Sequence, residues 1–589
     1  MMSNDTRDEA KDDAKDDTKD TVTTETNKRS QQDKEGKEGK EGKEGKEGKE
    51  GKESKEGKES KEGKEQASGF LGAVERLGNK LPDPFWLFVI LGGLVLLTSW
   101  IGSLVGMSAT DPQSGEKIQV TNLLTPSGLS DIVSNAVKNY VEFPPLGVVV
   151  VVMLGVAVAE HAGLINAVIR SIVAKVGPRM LTFVVAIAGV TGSIASDAVY
   201  VILIPLGAMA FRAVGRSPIV GAMVAFAASS AGFNSSLILN ITDVLLASIS
   251  TPAAQIVDPN YEVSPLANYF FVTASAVILA LIITVVTELF INKKARELVD
   301  HDDIDYEELR FDTGSEKPAK DLTQDELNEQ LTLEPIEKKA LGATGIATVI
   351  CLAIYFGLLF IPGSPLQGPG GAVMESPLIR AVTVPITLAF FVLGLVYGIV
   401  AKTITKLSDI PEFMGRGVKT LIPMIVLFFV VSQFLAWFTA SNLGSWTAIT
   451  GADLLQKANL PPLVLFLAFV VLVALINLFI TSGSAQWALM APIVVPMFMY
   501  VGYSPEVTQM LFRIGDSPSN IITPMSPYFA LALTFLQRYY RRAGIGTLMS
   551  LALPYSMSML FGWFIFFAIW WLIGIPLGPG SPMTFPAGG

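Results

Sequence analysis

The sequence predicts an all-α polytopic membrane protein, built as an inverted repeat with about nine transmembrane helices, two opposed re-entrant hairpins and discontinuous helices. Three observations carry this. Half of the 589 residues are hydrophobic, and residues 1–66 alone hold 38 of the 98 Asp, Glu, Lys and Arg side chains, which leaves a strongly apolar body. Several apolar runs are interrupted by Gly, Ser, Asp, Asn and Pro, which a bilayer tolerates only where the broken backbone is buried or lines a polar cavity. A shift of 287 positions lays residues 197–230 over 484–517 with ten of the 34 pairs identical, against roughly two to four by chance in apolar sequence.

The chain divides into a tail (1–66), a first membrane half (67–292), a linker (293–336) and a second membrane half (337–589). In the tail, Lys-Glu-Gly recurs from Lys34 onward. A glycine in each triplet opposes helix and no apolar face exists to bury, so the tail is expected to be disordered and cytoplasmic. Spans are expected at about 85–105, 146–168 and 269–291, with a polar loop over 106–144. Between them lie a hairpin at 181–210 and a span over 219–249 broken around 229–234. The second half repeats this plan, with spans at 338–361, 379–401, 420–438 and 548–574. Its hairpin covers 462–500, and its broken span covers 506–536 with the interruption at Gly515-Asp516-Ser517-Pro518-Ser519-Asn520. Paired interrupted segments in two halves are the usual sequence pointer to a transporter's binding site.

Basic residues cluster at Arg170/Lys175/Arg179, Arg212/Arg216, Lys293/Lys294/Arg296, Lys402/Lys406/Arg416/Lys419 and Arg538/Arg541/Arg542, whereas 251–266, 363–378 and 576–589 carry no Lys or Arg. Placing the clusters inside requires both hairpins to be re-entrant from opposite faces, with the N-terminus cytoplasmic and the C-terminus outside.

Carboxylates within membrane segments are costly and mark function by default. Asp197, at the first hairpin tip, and Asp516, at the second interruption, are the leading candidates; helix capping is the alternative for both. Asn234, Asn477 and Asn520 supply oxygen donors suited to Na⁺ together with Asp516, or else interhelical hydrogen bonds. Ser482, Gly483 and Ser484 form a tip whose backbone N–H groups suit a carboxylate. Trp487 and its repeat counterpart Tyr200 either stack on an aromatic ligand or pack in the core. Arg513 either grips a substrate carboxylate or pairs with Asp516. Asp243 reads as structural and close to the outer interface, and Glu160-His161 as a helix end. The lone Cys351 excludes an internal disulfide and a cysteine-based metal site, and two histidines are too few for a histidine-rich one. No phosphate-binding glycine loop, zinc-protease or nucleophile-elbow motif is present. Uphill transport would therefore draw on an ion gradient, with H⁺ or Na⁺ as the coupling ion and no other cofactor.

With these residues in view, the chain resembles the p-aminobenzoyl-glutamate transporter (AbgT) family. The resemblance rests on Ser482-Gly483-Ser484-Ala485-Gln486-Trp487-Ala488-Leu489-Met490-Ala491-Pro492 and on the run Phe512–Pro524, with Ser196-Asp197-Ala198, Pro205 and Gly215-Arg216-Ser217-Pro218 in the first half. It implies a homodimer in the bacterial cytoplasmic membrane that moves p-aminobenzoyl-glutamate, a folate catabolite, on an ion gradient by an elevator-like motion; some members are linked to sulfonamide export. The positions that match the family pattern are Asp197, Asn477, Ser484, Trp487, Arg513, Asp516 and Pro524. Gln486 stands where the family carries a basic residue, and the Lys-Glu-Gly tail is not a family feature. A citrate- or succinate-type carrier is the alternative within the class. A channel or a membrane-embedded hydrolase is the alternative outside it, disfavoured because no interruption carries histidine.

Overall fold

The computed structural model describes residues 84–111, 115–173, 176–193, 198–298, 332–373, 376–524 and 526–586. The tail, Asp197 and most of the linker lie outside them. The body is helical throughout. Among the described residues, seven helices are long and apolar enough to cross a membrane: Pro84–Val105, Pro126–His161, Tyr269–Glu297, Pro335–Phe360, Thr383–Ala401, Ile422–Ala440 and Ile545–Ile573.

In chain order, α1 is Pro84–Val105. The expected polar loop after it holds more structure than its composition suggested. A short antiparallel ribbon pairs Ser108–Thr110 with Lys117–Gln119, and α2 follows at Pro126–Val141, capped by the Thr125 hydroxyl accepting from Gly128 N–H. The expected span at 146–168 is also split. α3 (Pro144–His161) stops at Gly163, whose φ of +91° no β-carbon tolerates well, and α4 (Leu164–Val173) departs from it.

The first hairpin is α5 (Leu181–Gly192) with α6 (Ala198–Ala213), and the first broken span is α7 (Pro218–Ala231) with α8 (Ile241–Ala254). The long α9 starts at Tyr269 and passes through a π-turn at Thr287–Ile291. The second half supplies α10 (Pro335–Phe360), α11 (Thr383–Ala401), the amphipathic α12 (Asp409–Thr420), α13 (Ile422–Ala440) and α14 (Leu443–Ala458). The second hairpin is α15 (Pro462–Asn477) with α16 (Gly483–Tyr500), the second broken span is α17 (Pro505–Asn520) with α18 (Pro527–Tyr539), and α19 (Ile545–Ile573) closes the bundle.

Both interruptions lie a few residues later than expected. Helix runs through Ser229-Ser230 and through Asp516-Ser517-Pro518, and the backbone unwinds at 232–240 and from 521 to 524 instead. Side chains account for the second shift. Asn477 Nδ2, Ser519 Oγ and Asn520 Nδ2 all donate to the Asp516 carbonyl, at 2.7, 2.9 and 3.3 Å, so an acceptor in the last turn of α17 is satisfied by side chains.

The same turn joins hairpin to broken span in both halves. Gly215 and Gly502, partners in the repeat, have φ of +74° and +99°. The next residues, Arg216 and Tyr503, donate their N–H groups back to the carbonyls of Phe211 and Phe498, which are also repeat partners. Ser217-Pro218 and Ser504-Pro505 then start α7 and α17 with proline in the first turn. This is a left-handed C-cap followed by a Ser N-cap and N1 proline.

The two hairpins enter from opposite ends of α9. The base of the first is tied to the α9 C-terminal end, where Thr182 and Arg216 donate to Glu288 at 2.6 and 2.7 Å. The base of the second meets the other end. Tyr503 bridges Thr584, Phe585 N–H donates to the Gly502 carbonyl, and Phe271 N–H donates to the Leu577 carbonyl. Two of the segments free of Lys and Arg therefore come together there, with Tyr261 against Phe585.

Candidate functional site

Asp516 sits in the last turn of α17 with no exposed surface. Its Oδ2 accepts from Asn234 Nδ2 at 2.7 Å, and the Asn234 backbone N–H donates to Ser517 Oγ at 3.1 Å. The interruption of the first half thus docks on the end of the broken helix of the second. Three oxygens in this knot have no hydrogen-bond partner: Asp516 Oδ1, Asn234 Oδ1 and Asn477 Oδ1. Buried acceptors are seldom left open, and a donor set of one carboxylate and two amide oxygens suits a monovalent cation. Among the described residues there is no cluster of three or more His, Cys, Asp or Glu side chains.

The second hairpin tip closes over Asp516. At Gly483 a β-carbon would lie 2.9 Å from Asp516 Oδ2, so glycine is needed for the approach. Ser482 caps α16 by accepting from Ala485 N–H. A cavity of about 480 Å³ opens here, within the range that encloses small ligands. Its wall takes Ser193 from the first hairpin, Thr481 to Ser484 from the second, Ser229 from α7, Phe233 and Asn234 from the first interruption, and Asp516 and Asn520 from α17. Ser229 and Asp516, repeat partners, therefore both face it.

Tyr200 and Tyr528 line the same cavity with their rings stacked 4.1 Å apart and 2° from parallel, and Tyr200 OH donates to the Ser229 carbonyl. A further part of the wall is built from Met153 and Glu160 of α3 with Thr420, Leu421 and Met424 where α12 passes into α13. Sequence reasoning missed this wall. Glu160 was legible in principle, since it is a carboxylate in an apolar helix, the same signal that singled out Asp197 and Asp516. Asp197 itself lies outside the described residues.

Trp487, Arg513, Asn477 and Pro524 are not on the cavity wall. Trp487 is fully buried, tilted against Phe512, with Nε1 donating to Ser250 Oγ at 3.0 Å and to the Leu246 carbonyl at 3.3 Å. Ser250 continues to Gln509 Oε1, Gln509 Nε2 to Asn268 Oδ1, and Asn268 Nδ2 to the Glu506 carbonyl, a hydrogen-bonded chain that joins both halves. At its end the Tyr261 hydroxyl donates to both carboxylate oxygens of Glu506. Burial pushes the Tyr261 phenol above its usual pKa, so it remains a donor.

Arg513 has a partner other than the expected one. Its Nη1 meets Asp243 Oδ1 at 2.6 Å, and the two side chains are 1% and 6% exposed. Asp243 is buried at the start of α8, where it also closes a capping box with Asn240. Gln486 is buried and donates to the Val473 carbonyl at 2.9 Å, bracing one leg of the hairpin against the other. Asn520 lines the cavity while donating to the Asp516 carbonyl.

Three comparisons bear on this architecture. The profile of the AbgT putative transporter family matches residues 69–585. The p-aminobenzoyl-glutamate transport protein of Escherichia coli K12 is 36% identical over 517 residues, 87% of this chain and 97% of its own. Two solved structures share the fold. The YdaH transporter of Alcanivorax borkumensis, described as having an unusual topology, is 38% identical with a TM-score of 0.76, covering 85% of this chain and 100% of its own. MtrF of Neisseria gonorrhoeae, described as illuminating a class of antimetabolite efflux pumps, is 39% identical with a TM-score of 0.78, covering 87% and 100%.

Proposed function

The chain belongs to the AbgT putative transporter family, and from that premise we propose that it carries p-aminobenzoyl-glutamate or a related aromatic anion across the bacterial cytoplasmic membrane, driven by an ion gradient. It is a multi-pass membrane transporter and not an enzyme. One observation carries the coupling: Asp516 Oδ1, Asn234 Oδ1 and Asn477 Oδ1 are buried and unpartnered beside a cavity of ligand size. A cation held there would satisfy all three and offset the charge of an arriving carboxylate, as broken-helix carriers do at the midplane. Na⁺ fits this oxygen set; protonation of Asp516 would satisfy one of the three.

In this reading Ser482, Gly483 and Ser484 present the α16 N-terminus to the ligand's carboxylates, while the Tyr200–Tyr528 pair meets its ring. Trp487, Arg513 and Pro524 act from behind the wall. Asp197, at the opposite tip, is assigned to the same site by its place in the repeat. The opposed hairpins and the basic clusters support nine spans with re-entrant hairpins, the N-terminus cytoplasmic and the C-terminus outside. The hairpins and broken helices would move as a unit against α3 and α11–α13, in a homodimer.

The test is uptake of radiolabelled p-aminobenzoyl-glutamate into proteoliposomes under an imposed Na⁺ or H⁺ gradient. Wild type should accumulate it under one gradient, and Asp516→Ala should lose gradient-driven uptake. Absence of uptake by folded wild type under either gradient would sink the substrate assignment.

A further inference from the structure

Arg513 is the basic residue closest in sequence to Asp516, and where its charge goes decides whether the carboxylate is open to a cation. On α17 it precedes Asp516 by three residues, a spacing that puts two side chains on one helix face with about 5–6 Å between their β-carbons. A guanidinium so placed has the reach to fork onto a carboxylate, and Asp516 Oδ1 is a buried oxygen with no partner. That pair does not form. Arg513 Nη1 instead donates to Asp243 Oδ1 at 2.6 Å and to the Asn234 carbonyl at 3.4 Å, while Nε has no hydrogen-bond partner. Asn234 Nδ2 also donates to Asp516 Oδ2 at 2.7 Å, so one asparagine touches both the ion pair and the carboxylate. Asp243 is itself fixed, since its Oδ2 accepts from the Asn240 N–H at 2.9 Å in the capping box that starts α8.

We propose that Asp243 is a positioning residue for the coupling cation: it holds the Arg513 guanidinium at the start of α8 and so leaves the free oxygen of Asp516 to Na⁺. The proposal rests on the cation reading given above and deepens it. The charges of Arg513 and Asp243 cancel, so the knot around Asp516 carries one negative charge, which one monovalent cation answers. Without the Asp243 charge that balance is lost. A buried charge stripped of its partner is costly, and the carboxylate on the guanidinium's own helix face is Asp516, where pairing would close Oδ1. Even unmoved, an uncompensated guanidinium this near opposes cation binding, because screening in the interior is weak. Asp243 is not on the cavity wall, so its effect runs through Arg513 and not through the ligand.

The experiment titrates Na⁺ against the unfolding temperature of the purified full chain in detergent, with K⁺ holding the ionic strength constant. Wild type, Asp243→Asn, Arg513→Gln and the double variant Asp243→Asn/Arg513→Gln are compared. Asparagine keeps the shape and an acceptor at position 243 and removes the charge. Wild type should be stabilised by Na⁺, and Asp243→Asn should need on the order of tenfold more Na⁺ to reach half its effect. The double variant, with the guanidinium gone, should return close to the wild-type midpoint. A merely structural ion pair gives no such return, because the double variant lacks the pair as well. The readout is a Na⁺ midpoint within each variant, so differences in basal stability cancel. Where Asp243→Asn does not fold, Arg513→Gln carries the test: it should bind Na⁺ at least as tightly as wild type, and weaker binding overturns the proposal. An unchanged midpoint in Asp243→Asn, or a double variant as weak as the single one, overturns the role of Asp243 and leaves the cation reading standing. No effect of Na⁺ on wild type overturns the cation reading, and this proposal with it.

Discussion

Arg513 shows how much a single buried charge can mislead. On α17 it precedes Asp516 by three residues, so the two share a helix face, and that made the pair look natural. The structure instead sends the guanidinium across the bundle to Asp243. Both side chains are out of water, and removing one partner strands the other. Asp243→Ala should therefore cost about 3–5 kcal/mol of unfolding free energy. The double variant Asp243→Leu/Arg513→Met should recover most of it. Unfolding of the purified proteins in detergent reads both, and a loss below about 1 kcal/mol in Asp243→Ala would show that the pair contributes little. Trp487 follows the same pattern: its indole serves a hydrogen-bond chain through Ser250 and Gln509, so its weight lies in holding the second hairpin to α8 and α17.

The hairpins were the most legible elements. The second was expected over 462–500 and occupies Pro462–Asn477 and Gly483–Tyr500. Its ends are fixed locally, by Pro at the first helical position, by the Ser482 cap, and by Gly502 with its left-handed φ. The tip is the opposite case, since its position is fixed by what it touches. Gly483 is the first residue of α16, outside the helix interior where glycine's cost applies, so alanine there changes helix stability little. Its β-carbon would meet Asp516 Oδ2 at 2.9 Å. Gly483→Ala should therefore leave thermal stability nearly unchanged while transport falls roughly tenfold or more. A variant that transports normally would mean the tip does not need to close on Asp516.

The bundle joins its two halves by contacts between the interrupted helices of each. Asn234 of the first half meets Asp516 and Ser517 of the second, and the hairpin bases sit at opposite ends of α9. A cation in the resulting knot would hold both halves together and stabilise the fold by mass action, about 2.7 kcal/mol at a hundredfold excess over its dissociation constant. The unfolding temperature of wild type should rise in Na⁺ relative to K⁺ at equal ionic strength, and Asp516→Ala should not respond. Equal temperatures in both salts for wild type would exclude a Na⁺ site and favour proton coupling.

The apolar helices, hairpin limits and the repeated Gly-x-Ser-Pro turn were readable because each depends on residues adjacent in the chain: apolar length, helix caps and backbone freedom at glycine. Their order and charge also implied the inverted plan. The rotation of each helix about its axis was not readable, because it is fixed by packing against segments hundreds of residues away. That rotation turned Arg513 to Asp243, 270 residues distant, buried Trp487 against Phe512, and set Glu160 on the cavity wall. The second interruption moved for the same reason: Asn477, 39 residues from Asp516 in sequence, satisfies its carbonyl in the last turn of α17. Local chemistry decided which elements exist and where they end. Only the packed bundle decided which side chains share a cavity, since burying a polar group is tolerable only where a distant partner meets it.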